Sequence, residues 1–146
     1  MLLRNWRKLL PKRFSMSSFE NLLGLMDTLL SENGCPWDRQ QTHESLRKNM
    51  IEEAAEAAHA IDSKNPEALT EELGDVLLQV LFHAKIAEKN GMFTIEDVIK
   101  KLSDKLVSRH THVFGSDKAF TPEDALLVWK KNKRKEKYSQ NKKFNE

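Results

Sequence analysis

The chain has 146 residues, with 24 Lys and Arg against 22 Asp and Glu, and 39% of its residues are hydrophobic. A net charge of +2 gives no field of one sign; 5 Gly and 4 Pro are too few for the turns of a β-sandwich or barrel; and no apolar stretch approaches the ~18 residues of a membrane span. Cys35 is the single cysteine, which excludes an internal disulfide framework and fits a reducing, cytoplasmic location.

Residues 1–16, MLLRNWRKLLPKRFSM, hold five basic side chains and no acidic one. Pro11 interrupts any continuous helix there, and the segment reads as a basic N-terminal extension. The domain itself is expected over 17–138, with a polar C-terminal tail over 139–146. Ser18 is a candidate N-cap for a stripe of Phe19, Leu22, Leu23, Leu25, Met26, Leu29 and Leu30 at helical spacing. Gly34 and Pro36 break that pattern. Thr42 can cap a second helix of about 43–62. Asn65–Pro66 opens a third, with proline at the tolerated first position, and Asn90–Gly91 stops it. Thr94 and Asp97 resemble a capping box opening a fourth helix over 95–110. Thr121 and Asp124 open a fifth, to about 138. Nothing alternates with period two for long enough to be a strand. The expected fold is all-α, a helical bundle of about five helices.

Acidic residues stand where apolar ones belong. Helix two carries Glu52, Glu53 and Glu56, and helix three carries Glu71, Glu72 and Asp75. Glu53/Glu56 and Glu72/Asp75 are i, i+3 pairs, so each pair shares a helix face. On a wheel of about 100° per residue, Glu53 falls inside the arc of Leu46, Met50, Ala57 and Ile61, with Glu56 at its edge. In helix three Glu72 and Asp75 share a stripe with Gln79 and His83, while Leu69, Leu73, Val76, Leu77, Leu78 and Phe82 spread almost round the wheel. A helix apolar nearly all round is a buried one, and five helices offer it too few neighbours, so the bundle is expected to be completed by dimerisation. The link Asp62–Asn65 is short enough to make the two helices antiparallel neighbours. Four carboxylates converging there repel one another, and burial of unpaired charge costs several kcal/mol. A divalent cation with hard oxygen preferences, magnesium above all, is the natural compensation.

Carboxylate-bound magnesium commonly serves phosphoryl chemistry. With no GxxxxGK[ST] loop in the sequence, basic side chains must hold phosphate. Lys105 and Arg109 are i, i+4 on helix four, and Trp129 and Lys133 are i, i+4 on helix five. Cations at such positions can clamp phosphate oxygens, and the indole can offer a stacking face to a base. His110 and His112 form an isolated HxH, which reads as packing or surface more readily than as a metal site.

The ordered blocks CPWDRQQTHESL (35–46), EEAAEAAHAI (52–61), EELGDVLLQVLFHA (71–84), KLVSRHTHVFG (105–115) and WKKNK (129–133) closely resemble the MazG nucleoside triphosphate pyrophosphohydrolases of the all-α NTP pyrophosphatase superfamily. The resemblance covers about 17–138 and includes the ExxE…ExxD pattern as Glu53-Ala-Ala-Glu56 and Glu72-Leu-Gly-Asp75. It implies an all-α dimer or higher homo-oligomer, magnesium (or manganese in its place) on Glu53, Glu56, Glu72 and Asp75, and hydrolysis of nucleoside triphosphates to monophosphate and pyrophosphate, in the manner of nucleotide-pool house-cleaning. By analogy Lys105, Arg109, Trp129 and Lys133 fall at substrate-contacting positions. Many members have tyrosine where Ala55 stands and aspartate where His59 stands, and larger members carry two tandem repeats where this chain has one.

The expected mechanism is attack of an activated water on the α-phosphorus, with Glu52 or Glu53 orienting or deprotonating that water. The competing class is a non-catalytic helical module binding nucleic acid or a partner through its basic tail, where Lys130–Lys143 holds eight Lys or Arg in fourteen residues. That class leaves the four inward carboxylates unexplained, so neither a nucleic acid nor a membrane is the expected partner.

Overall fold

The computed structural model describes residues 18–143. Seven helices follow one another: α1 (Ser18–Leu30), α2 (Pro36–Arg39), α3 (His43–Asp62), α4 (Pro66–Lys89), α5 (Ile95–Arg109), α6 (Thr111–Phe114) and α7 (Pro122–Lys143), with no strand among the described residues. The five long helices are the expected five, and α2 and α6 are single turns between them. No helix is long and apolar enough to cross a membrane among the described residues. The basic extension at 1–16 and the last three residues of the C-terminal tail lie outside the described residues.

Helix starts follow local hydrogen bonding. Thr42 Oγ1 accepts from the Ser45 amide at 3.1 Å while Ser45 Oγ accepts from the Thr42 amide at 2.9 Å, a reciprocal cap on α3. Asn65 Oδ1 accepts from the amides of Glu67 and Ala68 ahead of Pro66. Thr94 and Asp97 close the box on α5, where the Thr94 amide donates to Asp97 Oδ2 at 2.8 Å. Thr121 and Asp124 repeat it on α7. Gly91 takes φ +66 at the end of α4, the left-handed turn that glycine adopts without penalty. Gly34 serves a different need: a Cβ there would meet the Leu29 carbonyl oxygen at 2.1 Å. Ser18 is already helical as the first described residue, and α7 runs to Lys143, past the expected end at 138, with Gln140, Lys142 and Lys143 as good helix formers and neither Gly nor Pro to stop it.

The chain divides into two compact units, one up to Met92 and one from Phe93 on. In the first, α3 and α4 form an antiparallel pair, and α1 packs beside the second half of α4, where Lys85 Nζ reaches Asp27 at 2.6 Å. Its core is Met26, Leu46, Ala57, Ala60, Leu81, Phe82, Ala84 and Ala87. In the second, α5, α6 and α7 pack on one another with Ile95 and Asn132 buried.

Burial departs from the wheel in one respect. Helix α4 is buried over its second half only, and Leu73 and Leu77 in its first half are exposed, as are Met50, Ile51 and Ile61 on α3. Within the unit α1 covers just the later turns of α4, so some of the apolar faces that periodicity identifies have no cover among the described residues.

Candidate functional site

Helices α3 and α4 place the carboxylates together. Because the connection at 63–65 reverses the chain, the later turns of α3 lie against the early turns of α4. One ligand atom from each of Glu53, Glu56 and Glu72 lies within 4.8 Å of the others. Asp75 is outside that trio but close enough for its charge to act on two of its members. The side chains are half-buried to exposed, so the cluster opens to solvent on one side. Glu72 Oε2 is nonetheless buried with no hydrogen-bond partner.

Among the described residues no cation acts on Glu53 or Glu72. Desolvation first, then repulsion from Asp75, Glu56 and Glu52, raises the Glu53 carboxyl above the usual carboxylate range. Glu72 is raised by desolvation, then by Glu56, Asp75, Glu71 and Glu53. The nearest cation on α3, Lys48, is occupied by exposed Glu52 at 2.9 Å. Glu52 therefore flanks the cluster as an ion pair. A buried carboxylate oxygen without a donor, facing two other carboxylates, fits a hard divalent cation: the donors are all oxygen, and the ion removes the repulsion that burial aggravates. Beside the cluster, a cleft of about 530 Å³ is lined by Ala55, Glu56, His59, Ala60, Ser63, Asn65, Ala68 and Glu72.

The polar stripe of α4 continues inward. Gln79 is only 5% exposed, and its Oε1 has no partner. His83 meets His43 edge to edge, with ring centroids 5.0 Å apart, planes 5° from parallel and the two Nδ1 atoms 2.7 Å apart. That contact requires one Nδ1 to donate and the other to accept, so the pair holds one proton between them. Burial, then His43, lowers the pKa of His83. His43 was not singled out by sequence. It reaches His83 only because the register that sets Glu56 beside Glu72 also sets α3 thirteen residues earlier beside α4 eleven residues later.

The sequence-predicted cations assemble in the second unit. Arg109 lies with its guanidinium carbon 5.0 Å from the Trp129 ring centroid, and Lys133 Nζ lies 4.9 Å from the same centroid. The indole thus carries two cations, which differs from the open stacking face expected for a base, because i, i+4 spacing on α7 and the last turn of α5 both bring a charge to it. Lys105 is exposed one turn earlier on α5. Arg109 Nε and Nη2 both donate to Glu136 Oε2, at 2.9 and 2.8 Å, and Ser108 Oγ donates to Glu136 Oε1 at 2.6 Å. Glu136 was missed because it sits inside a run notable for its lysines, although its i+3 spacing from Lys133 and i+7 from Trp129 put it on their face. His110 Nδ1 donates to the Leu106 carbonyl at 2.7 Å.

Comparison with known proteins agrees with the geometry. A family described as the MazG nucleotide pyrophosphohydrolase domain matches residues 41–114. The chain is 56% identical over 103 residues to the nucleoside triphosphate pyrophosphohydrolase/pyrophosphatase MazG of Thermotoga maritima, covering 70% of this chain and 40% of that protein. It is 38% identical over 123 residues to the nucleoside triphosphate pyrophosphohydrolase of Escherichia coli K12, covering 84% of this chain and 47% of the relative. The chain therefore spans under half the length of these two relatives. The crystal structure of a mazG-related protein from Thermotoga maritima superposes with a TM-score of 0.66 at 29% identity, covering 79% of this chain and 98% of that one.

Proposed function

The chain belongs to the MazG nucleotide pyrophosphohydrolase family, and from that premise we propose that it hydrolyses nucleoside triphosphates to nucleoside monophosphate and pyrophosphate with the help of a divalent cation. The observation that carries this reading is the convergence of Glu53, Glu56 and Glu72 from two helices around an unpartnered, buried Glu72 Oε2. Asp75 completes the acidic set on the same stripe of α4. A divalent ion, magnesium or manganese, supplies neutralisation of phosphate charge and activation of water at such a cluster.

The chain's own groups do the rest. The reaction adds water at the α-phosphorus and breaks its bond to the oxygen bridging to the β-phosphorus, which leaves with pyrophosphate. Glu53 or Glu52 orients the water and takes its proton; the raised pKa of Glu53 suits a base that must hold that proton briefly. Lys105, Arg109 and Lys133 supply cations for phosphate oxygens, and the Trp129 ring fixes two of them in place. Removal of noncognate or damaged nucleotides from a cytoplasmic pool is the role that fits such an activity.

We take the active form to be a homodimer or higher homo-oligomer. Ile51, Ile61 and Leu73 are each more than half exposed on the α3–α4 pair, and a second copy would cover apolar surface that the described residues leave open.

The test is release of pyrophosphate by the purified full chain from a panel of normal and modified nucleoside triphosphates, with magnesium, with manganese and with chelator. Metal-dependent pyrophosphate and monophosphate in equal amounts is the expected result. No product from any triphosphate, with the oligomer intact by light scattering, would overturn the reading.

A further inference from the structure

Arg109 is one of the cations assigned above to the substrate's phosphates, yet its guanidinium is not loose. Its side chain is 16% exposed, and it is held by Glu136, itself 29% exposed. Both hydrogen bonds reach a single carboxylate oxygen from the Nε side of the guanidinium. An arginine carries five N–H donors in one plane. Two are used here, and among the described residues no acceptor takes Nη1. The edge formed by Nη1 and the remaining Nη2 hydrogen is the one that binds a phosphate through two parallel bonds.

We propose that Glu136 is a positioning residue for polyphosphate: it pins Arg109 by its inner edge against Trp129 and so presents the outer edge to an anion. This inference rests on the reading of Lys105, Arg109 and Lys133 as phosphate contacts. Glu136 is itself held at both oxygens from one turn of α5, by Arg109 and by the Ser108 hydroxyl. Those two bonds keep its carboxyl below the usual range, with Lys105 close enough to add to the effect.

The charge balance separates this arrangement from an ordinary structural ion pair. Arg109 and Lys105 act on one carboxylate, Lys133 shares the Trp129 ring with Arg109, and neither lysine has an acidic partner within ion-pair distance among the described residues. Three cations to one anion leaves an excess of two positive charges. One position before Asn132 the same helix makes a balanced pair, Lys131 with Asp117 at 3.1 Å, tied into Thr111 and Asn132. That second network has no uncommitted donor edge around a ring.

Two roles for Glu136 predict opposite signs. If it merely occupied Arg109 as a competing anion, its removal would tighten polyphosphate binding, because the patch gains positive charge. If it positions Arg109, removal loosens binding despite that gain. Calorimetric titration of the full chain with tripolyphosphate distinguishes them. Glu136→Ala is expected to weaken binding roughly tenfold, the scale of one oriented bidentate contact, while Glu136→Gln, whose amide oxygen still accepts from Nε, stays within about threefold. In an Arg109→Ala background the Glu136→Ala change should cost nothing further, since the two act as one unit. Equal or tighter binding by Glu136→Ala, or additive losses in the double variant, would overturn the proposal. Should Glu136→Ala lose helicity by circular dichroism, Glu136→Asp takes its place: it keeps the charge but shortens the reach, so a loss of affinity supports positioning and wild-type affinity overturns it. Pyrophosphate release is measured alongside, where the positioning role raises KM and leaves kcat nearly unchanged. Binding that follows the expected order in a wild-type chain that hydrolyses nothing would sink the proposed activity and leave the positioning role standing. Hydrolysis with flat affinities would do the reverse.

Discussion

The α3–α4 pair and the α5–α7 pair solve opposite electrostatic problems with the same device, two helices packed side by side. On α3–α4 the polar groups of the seam are alike in sign: burial first, and then the charges of Glu56 and Asp75, raise the proton affinity of Glu53 and Glu72, and Glu72 Oε2 has no donor. On α5–α7 opposite charges meet, so Glu136 is held well ionised by Arg109 and Ser108. The second arrangement satisfies its one carboxylate and is left with cations to spare. The first is incomplete without something positive, and that incompleteness, more than the count of carboxylates, marks it as the place where a cation belongs.

The comparison is broken most directly by removing one charge from the acidic seam. Glu53→Gln is expected to lower metal-dependent pyrophosphate release by about a hundredfold or more, as removal of a metal ligand and candidate base should. Asp75→Asn should follow the same direction. Neither change should unfold the protein, because each relieves repulsion, and helicity by circular dichroism checks that. Full activity in both variants would refute the site.

Packing gives the next largest effect. Leu81 is fully buried behind the seam, and Leu81→Ala is expected to cost about 2–5 kcal/mol of unfolding free energy, set by how far the cavity collapses. Urea titration measures it. The same substitution at half-exposed Leu73 should cost far less in a monomer. If Leu73→Ala instead destabilises strongly and in a concentration-dependent way, that surface is covered by a second copy.

Proton linkage sharpens the contrast further. The folded-state carboxyls of Glu53 and Glu72 are raised, so without metal the folded chain binds these protons more tightly than the unfolded one. Their stabilising contribution is present below the ordinary carboxylate range and lost as pH rises through their raised values. Asp97, Asp124 and Glu136 are lowered, and each contributes stability at higher pH that is lost as pH falls through its lowered value. Comparing Glu72→Gln with wild type isolates the first group: without metal, the variant's advantage in Tm should be absent in acid and grow as pH rises past the carboxylate range. Added magnesium should close or reverse that gap, since it binds the folded wild-type site. An advantage independent of pH would contradict the assigned shift.

Much of this was legible in the sequence because the signals were local. Thr42, Asn65, Thr94 and Thr121 cap where their hydrogen bonds can be drawn from neighbouring residues, and Gly91 ends α4 for a reason internal to its own backbone. The carboxylates stood out because i, i+3 spacing put them on apolar faces. What remained hidden depends on register or on cover. His43 meets His83 across two helices, Glu136 meets Arg109 across two others, and no spacing within one helix reports either contact. The α2 and α6 turns are too short to show a period. The exposure of Leu73 and Ile61 depends on which elements pack against that face, which a helical wheel does not contain.

The smallest expected effect concerns the cap that starts the cationic unit. Asp97 Oδ2 accepts from both the amide and the hydroxyl of Thr94, at 2.8 and 3.0 Å, while Thr94 Oγ1 accepts from the Asp97 amide at 3.3 Å. Asp97→Ala removes one half of this reciprocal pair and one negative charge from the positive end of α5, and the expected cost is a small loss of stability. Because the Asp97 pKa is lowered by those same bonds, the cost should be present at neutral pH and disappear as pH falls through that lowered value, where the wild-type cap is itself protonated. Asn at the same position keeps an acceptor oxygen without the charge and should recover part of the loss. The loss should register in urea unfolding and leave pyrophosphate release unchanged, since Asp97 sits three turns of helix before Arg109. An equal loss at acidic and neutral pH would show that Asp97 stabilises α5 by something other than its ionised cap.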